Sequence, residues 1–115
     1  MNVKHLATAR LLFYIMAGSF VLSAAILGYV RATGKAVPAY VLAAWGGLGL
    51  LGLAVTPLLS ADRRWVAWVL LAVLGPWMVV SLVGDTQRKI YVMSAVDAAG
   101  LAAIGYGVWL AYQPA

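Results

Sequence analysis

The sequence predicts an all-α integral membrane protein: a four-helix bundle of transmembrane helices, up-down-up-down, with short loops. Three observations predict it. Of 115 residues, 65% are hydrophobic and only 10% charged, with a mean hydropathy of +0.97. A soluble fold this small leaves too much surface in water to hide that much apolar area. The apolar residues fall into four runs, each close to the ~20 residues that cross ~30 Å of hydrocarbon. No run alternates apolar and polar residues as a barrel strand does. A single domain over 1–115 is expected.

The first helix is expected at about 6–30. Its basic start and the "SAA" at 23–25 have the look of a signal peptide, but the apolar run from Leu11 to Val30 is long for an h-region. It reads as a retained span. After "RATGKAV", Pro38 opens a second helix at about 38–59. "SADR" leads to a third at 64–83, and "GDTQRK" to a fourth at 88–112. Ser60, Asp62 and Asp85 are the candidate N-caps in these breaks. Links this short make neighbouring helices antiparallel. Pro57 falls where the second helix should end. Gly75 and Pro76 fall near the middle of the third, where proline removes a hydrogen bond, frees the carbonyl around Ala72 and predicts a kink.

Composition excludes much chemistry. The chain has no Cys, no Glu and one His, His5. Disulfides, thiolate sites and Cys nucleophiles are ruled out, and a single imidazole cannot build a His-cluster metal site or a bis-His haem. No metal or cofactor is expected. No Ser–His–Asp, phosphate-loop or nucleotide pattern occurs, so no catalytic residue is assigned. The net charge of +5 would suit nucleic acid in a soluble protein. Here all eight Lys and Arg flank apolar runs, which points to lipid headgroups and away from nucleic acid.

With four crossings, the N-terminal tail and second link share one face of the membrane, here side A, with Lys4, Arg10, Arg63 and Arg64. The first and third links share side B, with Arg31, Lys35, Arg88 and Lys89. Four cations against four give the positive-inside rule nothing to act on. Two readings fit: a modest bias masked because Arg10 lies within its helix, or insertion in both orientations with antiparallel pairing. In such a pair, Arg10 of one copy would approach Asp97 of the other. Tyr40, Trp65, Tyr91, Trp109 and Tyr112 lie near segment ends, as an interfacial belt does.

Helices in lipid gain little from apolar burial and associate through small residues. Ala95, Ala99, Ala103 and Gly107 form a stripe at a spacing of four, with Gly100 on the Asp97 face instead. The second helix offers Gly46, Gly47, Gly49 and Gly52. Contacts within the bundle are the expected use, and small size favours a homo-oligomer or a place in a larger membrane complex.

Asp97 is the one acid deep in an apolar run. Counted from Arg88 it lies roughly 13 Å from side B, with Ser23, Trp45 and Trp77 at about 10 Å and Ser81 shallower. An acid facing lipid there costs roughly 2.5–3.5 kcal/mol on insertion scales. It should face inward, onto a hydroxyl or indole N–H, or be protonated. Asp97, Ser23, Trp45, Trp77 and Ser81 are therefore the candidate ligand or proton site. One reading is a neutral acid bonded to Ser23 or Trp45 that locks the bundle. The other is a carboxylate with aromatic walls that binds a cation or exchanges a proton for one.

The length, four helices, balanced charge and lack of loops resemble the small multidrug resistance transporters. The resemblance covers architecture alone: that family keeps a membrane-embedded Glu in its first helix, and this first helix has no acid. Three functions follow in order of preference. The first is a non-catalytic module that packs as an oligomer or as an accessory subunit. The second is a small proton- or cation-coupled transporter or channel using Asp97. The third is a binding protein for a lipid-like or quinone-like apolar ligand held against Trp45 and Trp77. The expected location is a bacterial cytoplasmic membrane.

Overall fold

A computed structural model describes residues 3–60 and 62–113. The ends of the expected domain (Met1, Asn2, Pro114, Ala115) and Ala61 of the second link lie outside the described residues. Among those described, the chain forms four α-helices and no strand: α1 Val3–Ala32, α2 Ala39–Val55, α3 Trp65–Gln87 and α4 Tyr91–Ala111. All four are long and apolar enough to cross a membrane, the second when counted with the turn that follows it, as Ala39–Leu58. The protein is a multi-pass membrane bundle, 51 × 26 × 18 Å in extent.

The ends of α2 and α3 differ most from expectation, each by four residues. α2 stops at Val55 and passes into a single 3-10 turn, Thr56–Leu58, because Pro57 has no N–H to continue the ladder. Thr56 Oγ1 donates to the Gly52 carbonyl at 2.6 Å, and Arg10 Nε donates to the Leu59 carbonyl at 2.8 Å. The Gly52 carbonyl thus accepts from both the backbone and the side chain of Thr56, and a cation from α1 holds the carbonyl that follows the 3-10 turn. α3 runs on past Val83 to Gln87, and it passes through Pro76 as one helix. The Pro76 ring is exposed while Gly75 is buried. None of the three candidate N-caps is used: Arg64 precedes α3 and Ile90 precedes α4, neither with a side-chain cap bond.

The turn between α3 and α4 is a Schellman closure. Ile90 N–H donates to the Asp85 carbonyl at 2.9 Å and Lys89 N–H to the Thr86 carbonyl at 3.1 Å. Lys89 takes the left-handed position, with φ 60°, where glycine is usual. Asp85 therefore belongs to the last turn of α3 and is no cap of α4.

Packing is close on one side of the bundle only. α1 and α2 meet through glycine: a Cβ on Gly49 would lie 2.8 Å from Phe20 Cβ and 2.9 Å from the Val21 backbone nitrogen. One on Gly52 would lie 3.0 Å from Ala17 Cβ, and one on Gly46 an ordinary 3.5 Å from Ala24 Cβ. α4 meets α1 where Gly107 lies under the Phe13 ring, 3.0 Å from a would-be Cβ. The rest of the alanine stripe behaves otherwise. Ala95 and Ala99 are exposed and Ala103 is half-buried. A spacing of four overshoots a 3.6-residue turn by about 40° per step, so the stripe rotates away from the core towards side B. The buried residues of α4 are Asp97, Gly100, Ile104, Gly107, Val108, Leu110 and Ala111.

Among the described residues, the buried ones lie at or on the side-A side of a level set by Phe20, Gly49, Met78 and Gly100. Asp97 is the exception. The most extensive contacts are those within the two hairpins, α1–α2 and α3–α4. Between them, Phe13, Phe20, Leu70, Leu74 and Ile104 fill the side-A half, and α2 touches α3 less than any other neighbouring pair of helices touch.

Gly49→Ala should destabilise the protein by about 1–3 kcal/mol, since its methyl meets a Cβ and backbone that cannot swing aside. Gly100→Ala should cost less, because there the obstructing atoms are the Met78 and Met16 Cε methyls at the ends of flexible chains. Unfolding by denaturing detergent measures both, and equal losses would contradict this packing.

Candidate functional site

Where the side-A core ends, a cavity begins. Its volume is about 710 Å³. All four helices line it, and its wall holds Asp97, Ser23, Trp45, Trp77 and Ser81. Met16 and Met78 form its floor, with their Cε methyls packed over Gly100. Phe20 meets Trp45 edge-on at 4.8 Å between ring centres, and Trp45 meets Trp77 at 5.8 Å and 90°. These rings separate the cavity from the Leu74 and Phe13 layer beneath.

The arrangement follows from helix direction. Trp45 is six residues into α2, Asp97 six residues into α4, and Ser81 six residues from the end of α3, so each lies about 9 Å from side B. Asp97 is shallower than the count from Arg88 suggested, because Arg88–Ile90 form the turn and not the helix. Ser81 is level with Asp97, while Ser23 and Trp77 lie deeper, about 13–15 Å from their helix ends. Asp97 is 3% exposed. Its partner is Ser81, whose Oγ donates to Oδ2 at 3.2 Å; neither Ser23 nor Trp45 bonds it. The indole N–H of Trp77 is buried with no acceptor among the described residues.

A second acid shares the site. The carboxyl of Asp85 lies beside that of Asp97, close enough to interact with it, and lines the same cavity. The two approach from different depths because helical side chains lean towards their own N-terminus. α3 begins on side A, so Asp85 leans inward; α4 begins on side B, so Asp97 leans outward. Arg88 also lines the cavity, yet neither acid is ion-paired among the described residues. Trp77, Ser81, Asp85 and Arg88 recur at spacings of four, four and three, one face of a helix. That periodicity was the signal for Asp85, hidden by reading "GDTQRK" as a loop. Thr86 and Ser94, whose hydroxyls are 3.0 Å apart, tie α3 to α4 just beyond it.

Arg10 is far from this layer within one chain, held at the side-A end by the Leu59 carbonyl. His5 is half-buried near the start of α1, with Nδ1 unpartnered among the described residues. Among the described residues, no cluster of three or more metal-ligating acids, His or Cys occurs.

Chemically, the site offers two carboxyls and a hydroxyl in a largely apolar, aromatic-walled space. Such a pair can hold a cation between its members or share a proton. Comparison with protein-family models, with curated proteins and with solved structures finds no match, so the reading rests on the geometry.

Because the chain contains no Cys, single cysteines map the cavity without background. Asp85→Cys and Ser81→Cys should react quickly with a water-soluble methanethiosulfonate applied from the side of the α3–α4 turn. Ile104→Cys and Leu70→Cys, in the core, should stay inert. An unreactive position 85 beside a reactive position 104 would contradict the closed and open halves.

Proposed function

We propose that this membrane protein binds an organic cation on Asp97 and Asp85 and exchanges it against a proton, as a small coupled carrier. The observation that carries the reading is the pair of carboxyls in one cavity with no ion pair to either among the described residues. Burying one acid among helices costs several kcal/mol unless something compensates it. Two unneutralised acids make a poor structural lock, whereas a cation or a proton is the compensation their chemistry calls for. The Trp45 and Trp77 faces and the methionine floor suit an apolar body attached to that cation. A volume near 710 Å³ fits a small organic molecule and far exceeds a bare ion.

This ranks the coupled carrier above the packing module, which the sequence favoured. The module retains one supporting observation: Ala95 and Ala99 leave a smooth, exposed strip on α4, on which a second copy or a partner helix could pack. Co-purification of a stoichiometric partner would support that use of the strip.

Dodecylammonium is a suitable probe. Added to the protein in weakly buffered nanodiscs, it should bind and release protons in proportion to occupancy. Asp97→Asn, which keeps the shape of the side chain, should lose the proton release and weaken binding at least tenfold, as removal of a charge-assisted contact does. Proton release unchanged in Asp97→Asn, or no binding to the wild-type protein, would overturn the proposal.

A further inference from the structure

Resting on the cation-site reading, we infer that the natural occupant is a zwitterionic amphipath. Its primary ammonium sits on Asp97 and Asp85, its phosphate on Arg88, and its apolar chain leaves between α1 and α4. The chemistry is that of an ethanolamine phosphate ester.

Arg88 is the first reason. It lines the cavity with both acids and pairs with neither. A simple cation would satisfy the acids but face a like charge at the cavity mouth. A zwitterion satisfies both. Asp85 and Arg88 are three residues apart on one face of α3, a rise of about 4.5 Å. Two methylenes and an ester oxygen, the link between ammonium and phosphorus in an ethanolamine phosphate, span a similar length.

Depth is the second. Arg88 caps α3 just past the end of its apolar span, where a spanning helix meets lipid phosphates and cationic side chains pair with them. The acids begin one turn further in. Donor count is the third. A primary ammonium carries three N–H donors, which match the acceptors of Asp97, Asp85 and Ser81 Oγ; a choline head has none to give.

The chain has a route out. Ile26 on α1 and Met93 and Val96 on α4 line the cavity and are exposed. Ser19 and Ala99, small and exposed, line it on the same two helices. These apolar and small residues give the chain a path between the two helices.

Native mass spectrometry of the protein in micelles holding equal amounts of phosphatidylethanolamine, phosphatidylcholine and phosphatidylglycerol, with identical acyl chains, tests this. The ethanolamine lipid should be retained about tenfold over either other lipid, the scale of hydrogen bonds to charged groups. Arg88→Gln should abolish that preference while dodecylammonium still binds, and Arg88→Lys should keep much of it. Soluble phosphoethanolamine in excess should displace little of the lipid if the occupant comes from the bilayer; full displacement would make the water-soluble ester the source and leave the head chemistry standing. Equal retention of the three lipids, or a preference untouched by Arg88→Gln, would overturn this inference alone. Failure of dodecylammonium to bind the wild-type protein would instead remove the cation-site reading beneath it.

Discussion

An aspartate in hydrocarbon must be sheltered by protein, and the bundle is organised around meeting that demand at Asp97. Its carboxyl is buried, bonded to Ser81 and set beside Asp85. Ordinary helix packing would fill this space with side chains, as it does around Leu70, Leu74 and Ile104. Here the two hairpins close only over their side-A half and leave about 710 Å³ above it. The acid is kept from lipid by a cavity wall and not by a filled core.

The two halves are held by different means. On side A, Gly49 and Gly52 bring α2 against the backbone of α1, and Gly107 receives the Phe13 ring. The Arg10 bond to the Leu59 carbonyl fastens the segment that follows α2 to α1. These contacts join backbone or rigid rings and have little freedom to adjust. On side B, the floor consists of Met16 and Met78, flexible side chains over a glycine, and the wall of indoles meeting edge to face. Soft residues adapt to an occupant more cheaply than packed backbone does. Rigidity thus lies where the helices cross, and adaptability where a ligand would sit.

Much of this was legible in the residues, and what was not has identifiable causes. Four helices follow from run length and composition because lipid leaves the backbone few alternatives. That Asp97 faces inward follows from its cost in hydrocarbon. Its actual partner does not, because depth counted from Arg88 assumed that the helix began there, and a three-residue turn moved the whole layer. Asp85 was hidden for a related reason. Gly84 looked like the end of α3, while the left-handed position that closes it is held by Lys89, a residue with no local signature for that role. The small-residue stripe from Ala95 to Gly107 was visible, but a spacing of four drifts around the helix, so only its side-A end meets a neighbour. Pairwise contacts such as Gly49 with Phe20 depend on how two helices are docked, which no single run of sequence encodes.

The central claim is that the Asp97 carboxyl faces a space shared with Ser81 and not the acyl chains. Solid-state NMR in bilayers with carbon-labelled Asp and Ser measures this directly, since the chain has only three Asp residues to assign. A cross-peak is predicted from the Asp97 carboxyl to the Ser81 β-carbon, and none to acyl-chain methylenes. A carboxyl in contact with acyl chains and silent towards Ser81 would contradict it.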